Sequence, residues 1–201
     1  MQPITSAYTR IQPNTIVRQA VITFAFAVFT VVAARIAIPL WFTPVPVTLQ
    51  VLAALLAGLV LGPKLGAISQ LEYLALGLAG LPVFAGGKSG IAALAGPTGG
   101  YLVGLVALAF VTGFIYDRFP MHGRFGSVLA SLAGILAVYA LGAGWLAVWM
   151  TAISGTGQTP SLAAVFMAGV APFILIDLGK AFIATAVLSG GKRLVARLLA
   201  S

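Results

Sequence analysis

Val165-Phe-Met-Ala-Gly-Val-Ala-Pro-Phe-Ile-Leu-Ile-Asp177-Leu-Gly-Lys180-Ala-Phe-Ile-Ala-Thr-Ala-Val-Leu188 is an apolar run interrupted by two opposite charges. A helix of this length, rising about 1.5 Å per residue, crosses the roughly 30 Å hydrocarbon core of a bilayer. Asp177 is one of only three carboxylates in the chain. Residues spaced i and i+3 share a helix face, so the carboxylate and the ammonium project together. In a membrane interior such groups are tolerated only where they meet each other, a cavity or a ligand. The pair therefore marks either a structural ion pair between helices or a binding site.

The rest of the composition supports the membrane reading. The chain has 201 residues, of which 61% are hydrophobic and 7% charged, and its mean hydropathy is +1.11. Soluble domains carry about 25% charged residues, so this chain lacks the polar surface that keeps a globule in solution. Its apolar stretches cover residues 17–40, 47–61, 65–81, 99–116, 125–150 and 162–188. They predict an all-α membrane protein of six transmembrane helices. The Leu, Ala, Val and Gly content without period-2 alternation argues against a transmembrane barrel. Residues 1–14 read as a short cytoplasmic lead, and residues 15–201 as a single six-helix domain.

Six spans place Arg10, Arg18, Lys64, Arg118, Arg124, Lys192, Arg193 and Arg197 on one side and Lys88 alone on the other. The positive-inside rule then puts both termini in the cytoplasm. The net charge of +8 is accounted for by these cations at helix ends. They form no continuous stripe, which argues against a nucleic-acid partner. Cysteine is absent and the single His122 has no neighbouring ligands, so neither a metal centre nor a cofactor is expected.

Two connections on the sparsely charged side are unusual. Residues 41–48, Trp-Phe-Thr-Pro-Val-Pro-Val-Thr, carry prolines that hold the backbone extended and block helix continuation, which predicts a stiff loop with an aromatic tip. Residues 80–101 combine glycines with apolar side chains in a segment expected to face water. Such a segment wants something to cover, and its glycines permit close approach to a partner or ligand. Gly87-Lys88-Ser89 imitates the end of a phosphate-binding loop. The motif needs a glycine five residues earlier, where Pro82 stands, so nucleotide binding is rejected.

The strings Pro44-Val-Pro-Val-Thr-Leu-Gln50, Leu61-Gly-Pro-Lys-Leu-Gly-Ala67, Tyr73-Leu-Ala-Leu-Gly-Leu-Ala-Gly-Leu-Pro-Val-Phe-Ala-Gly-Gly87, Gly96-Pro-Thr-Gly-Gly-Tyr101 and Asp177-Leu-Gly-Lys180 occur in this order along the chain. Together they resemble the BioY family, the biotin-specific membrane subunit of energy-coupling-factor (ECF) transporters. The resemblance implies an S-component-like six-helix bundle in a prokaryotic plasma membrane, without an ATPase site of its own. It also implies a transmembrane coupling subunit and two cytoplasmic ATPases as partners, or a homo-oligomer acting without them. A self-sufficient ion-coupled or facilitative carrier is the alternative class, although the paired interrupted helices of inverted repeats are not visible.

Biotin offers a ureido ring with two N–H donors flanking a carbonyl, a thioether ring and an aliphatic arm ending in a carboxylate. Its recognition calls for an acceptor, a donor and an apolar sleeve. Asp177 and Lys180 supply the first two, with Lys180 reaching the ureido oxygen or, in another pose, the carboxylate. Tyr73, Phe84 and Tyr101 are candidates for the walls, and Gln50 and Thr48 for polar contacts, with helix capping as the competing role for these last two. In the family a polar side chain after the Phe-Ala pair can reach the ureido ring. Here Gly86 and Gly87 stand there, leaving a backbone group or another residue to substitute. Small-residue spacing occurs at Ala33 and Ala37, Gly58 and Gly62, and Gly100 and Gly104, and the resemblance implies that Ala33 and Ala37 contact the coupling subunit. Glu72, deep within its span, either pairs with Arg35 or stays protonated where desolvation disfavours its charge, and a structural pairing is the preferred reading.

Overall fold

The computed structural model describes residues 16–119, 124–153 and 159–200, with side chains described through residue 190. The expected lead and His122 lie outside the described residues. The element order is α1 (Ile16–Arg35), β1 (Ala37–Leu40), β2 (Thr43–Thr48), α2 (Gln50–Leu61), α3 (Pro63–Leu78), α4 (Gly90–Ala95), α5 (Gly99–Arg118), α6 (Arg124–Ile153), α7 (Leu162–Gly169) and α8 (Ala171–Ala200), with a single 3-10 turn at Ala85–Gly87 before α4.

Among the described residues, four helical segments are long and apolar enough to cross a membrane: Ile16–Arg35, Gly99–Arg118, Arg124–Ile153 and Ala171–Gly190. The second and third expected spans are shorter than a crossing requires. At about 1.5 Å per residue, α2 with 12 residues and α3 with 16 reach only about 18 and 24 Å. They meet at Gly62, which takes φ 86°, directly before Pro63 at the start of α3.

The fold is mostly rather than wholly helical. The first expected span ends at Arg35, and residues 37–40 turn back as a strand paired antiparallel with β2, in the register Ala37 with Thr48, Ile38 with Val47 and Leu40 with Thr43. Pro39 is the reason, because a proline inside a helix removes an amide donor and collides with the preceding turn. Along β2 the buried positions are Thr43, Val45 and Val47, while Pro44 is exposed and Pro46 is half-buried beside the cavity. The stiff loop is thus one strand of a hairpin tipped by Trp41 and Phe42, whose rings meet edge to face at 5.3 Å.

The last expected span is divided. α7 stops at Val170 (φ −127°, ψ −56°) and α8 restarts with Pro172 in its first turn. Pro172 therefore begins a helix instead of kinking one. Having no N–H, it leaves the Ala168 carbonyl free, and Thr43 Oγ1 donates to that oxygen at 2.6 Å. The Phe173 amide bonds Val170 O, which leaves the Gly169 carbonyl to accept from Tyr101 Oη at 2.7 Å. Both carbonyls at the break are satisfied by side chains from other elements, as apolar surroundings demand. The break also ties the hairpin, α5 and α7 together above Asp177.

The small-residue positions mostly serve internal packing. A side chain at Gly58 would meet Ala109, at Gly100 Trp145, and at Gly104 Val138, so these glycines let α2, α5 and α6 approach closely. Ala33 and Ala37 do not share a helix face: Ala33 is buried within the fold, and Ala37 belongs to β1.

Candidate functional site

Asp177 and Lys180 sit on the second and third turns of α8, each about 95% buried, with exposures of 3% and 5%. Lys180 Nζ lies 2.7 Å from Asp177 Oδ1. The same ammonium donates to the Thr48 carbonyl at 2.6 Å, where β2 ends before α2. The second carboxylate oxygen, Oδ2, accepts from Tyr139 Oη of α6 at 2.7 Å. Each charge therefore has two partners, one within α8 and one from outside it. This compensates much of the desolvation cost of a buried ion pair.

The pair opens on a small cavity of about 70 Å³. Among the expected residues, Asp177, Lys180, Gln50, Thr48, Phe84 and Tyr101 line it. The remaining walls are largely apolar, drawn from the hairpin (Val45), α5 (Leu102, Leu105), α6 (Val138) and α8 (Phe173). An acceptor and a donor side by side in apolar walls suit a flat polar head with the complementary pattern, attached to a greasy body.

Tyr73 lies behind the wall rather than in it. It is fully buried, accepts from Gln50 Nε2 at 2.6 Å, donates to Val83 O at 3.3 Å and meets the Phe84 ring edge to face at 5.5 Å. Its role in the geometry is to fix Gln50 and Phe84. The apolar loop of residues 80–101 likewise has a defined fold, with Phe84 driven into the core against Gly77, where any side chain would collide with the ring. Gly86 and Gly87 do not line the cavity. They take φ 72° and 73°, conformations open to glycine, and so make the tight turn that points Phe84 inward. Thr48 also accepts from the Gln50 amide through Oγ1 at 3.4 Å, a long capping contact.

Tyr139 was not singled out by sequence, although a tyrosine within an apolar span needs a partner for its hydroxyl. Lys88, which the sequence places on the sparsely charged side and in a rejected phosphate-loop look-alike, lines the cavity. The expected pairing of Glu72 with Arg35 is not formed. Glu72 accepts from Thr23 Oγ1 at 2.8 Å, and Arg35 stands 12 residues further along α1, about 18 Å away at the helical rise. Arg35 is exposed at the helix end.

Comparison with known proteins bears on this geometry. The model of the BioY family matches residues 5–197. A probable biotin transporter BioY of Pyrococcus horikoshii is 44% identical over 165 residues, covering 81% of this chain and 88% of the relative. The biotin transporter BioY of Rhizobium etli is 39% identical over 175 residues, covering 83% and 89%. The crystal structure of the S-component for biotin from an ECF-type ABC transporter superposes with a TM-score of 0.76 at 30% identity, covering 88% of this chain and 92% of that one.

Proposed function

Because the chain belongs to the BioY family, we propose that it takes up biotin as the membrane-embedded substrate-binding subunit of an ECF-type transporter, holding the vitamin over Asp177 and Lys180. The observation that carries this reading is the buried ion pair at the wall of an otherwise apolar cavity, in a chain whose relatives are named biotin transporters.

The ureido ring is the end that meets the pair. Asp177 accepts from a ureido N–H, and Lys180 donates to the ureido oxygen. The reverse pose is disfavoured, because a ligand carboxylate on Lys180 would lie beside the Asp177 carboxylate, 2.7 Å from the same ammonium, and like charges in a site of low polarity repel strongly. Each charge-assisted bond contributes about 1.5–3 kcal/mol. Phe84, Tyr101 and Gln50 form walls around the bicyclic body, with Tyr73 as support.

Capture is from the outer side, with both termini cytoplasmic and six membrane-embedded helical segments, α2 and α3 acting as short ones. Charge placement supports this orientation. A side chain at Gly113 of α5 would meet Gly62 and Pro63, which sets Lys64 and Arg118 at one end of the bundle. The hairpin, the turn at residues 85–87 and Lys88 gather by the cavity. A transmembrane coupling subunit and two cytoplasmic ATPases would supply reorientation and energy in a prokaryotic plasma membrane. Titration of the purified protein with biotin, riboflavin and thiamine tests the assignment. Saturable binding of biotin alone is expected, and equal binding of all three, or of none, contradicts it.

A further inference from the structure

Asp177 and Lys180 neutralise each other, and among the described residues that line the cavity the remaining charged group is Lys88. The pocket thus carries one uncompensated positive charge, matched to a ligand with a single negative charge. Lys88 is exposed, whereas the ion pair is buried, so the positive charge lies toward solvent and the neutral pair lies deep.

The position of Lys88 is fixed by its backbone. Its carbonyl accepts from the Phe84 amide at 3.0 Å, and the Gly87 amide donates to Phe84 O at 3.0 Å. Gly86, Gly87 and Gly90, all with φ between 71° and 73°, close the turn around it. Phe84 itself is anchored in the core against Gly77 and Tyr73. The main chain of Lys88 is thus held to a buried aromatic, and its side chain lines the cavity while it remains exposed to water.

Resting on the biotin reading above, we propose that Lys88 is a specificity residue that pairs with the carboxylate at the end of the ligand's aliphatic arm, so that the ligand lies with its ring on Asp177 and Lys180 and its acid at the mouth. A carboxylate is ionised at neutral pH, and an ammonium at a partly solvated mouth favours it without the desolvation cost of a deep site. The residue thereby distinguishes the free acid from neutral derivatives of the same ring system.

The experiment measures dissociation constants of biotin and its uncharged amide for the wild-type protein, Lys88→Met and Lys88→Glu, at low and high salt. The wild-type protein is expected to prefer biotin over the amide roughly three- to tenfold, a preference that shrinks as salt screens the pair. Lys88→Met should abolish the preference by weakening biotin alone, and Lys88→Glu should invert it. Retained amide binding shows in the same samples that the variants are folded. A wild-type protein that binds both ligands equally, or a Lys88→Met variant that weakens both alike or neither, overturns the proposal while leaving the ligand assignment intact. A wild-type protein that binds neither ligand overturns the assignment and this inference with it.

Discussion

Removing the Asp177 charge while keeping its shape separates a structural ion pair from a binding one. In Asp177→Asn the Lys180 ammonium keeps the Thr48 carbonyl at 2.6 Å but loses the carboxylate at 2.7 Å, and at 5% exposure it has little water to replace it. Leaving one member of a buried pair uncompensated costs about 3–5 kcal/mol of stability. Loss of the charge-assisted bond to the ureido N–H costs a further 1.5–3 kcal/mol of binding, or roughly ten- to a hundredfold in affinity. The double variant Asp177→Asn/Lys180→Met removes both charges. It should regain much of the lost thermal stability without regaining affinity, since neither the acceptor charge nor the donor is restored. Thermal unfolding in detergent and calorimetric titration with biotin, performed on all three proteins, read the two quantities independently. Recovery of biotin affinity in the double variant, or near-normal affinity in folded Asp177→Asn, would refute the reasoning and leave the pair a purely structural feature.

Two further substitutions test how the surroundings hold the pair. Tyr139→Phe deletes the donor to Asp177 Oδ2 at 2.7 Å; it should weaken biotin binding by about 1–2 kcal/mol while the protein stays folded, and an unchanged titration would show that Asp177 is oriented without it. Gly77→Val places a side chain where the Phe84 ring lies; overpacking of about 1–3 kcal/mol should displace the turn at residues 85–87, lowering both the unfolding temperature and biotin affinity, whereas unchanged binding would remove that turn from the site.

The final span was legible because Asp177 and Lys180 stand out against an apolar background, and their spacing alone put them on one face. The aromatic and glycine strings likewise exposed the loop that seats Phe84. The hairpin was hidden, because Ala37-Ile-Pro-Leu40 continues the hydrophobic run of α1 without a change of composition. Pro39 was the available sign that the helix had ended. The division between α7 and α8 turned on which orphan carbonyls could find partners. Thr43 and Tyr101, which supply them, lie 125 and 68 residues away in the chain, beyond any local pattern. Tyr73 and Tyr101 illustrate the same limit. Both are tyrosines in apolar helices, and only packing decides that Tyr101 faces the cavity and Tyr73 stands behind Gln50 and Phe84.

The most direct test is an experimental structure of the protein with biotin bound in a lipid environment. The ureido group should lie within hydrogen-bond distance, about 2.7–3.2 Å, of both Asp177 and Lys180, with the aliphatic arm running between Phe84 and Tyr101. Biotin bound elsewhere, with the ion pair closed on itself and facing an empty cavity, would contradict the account.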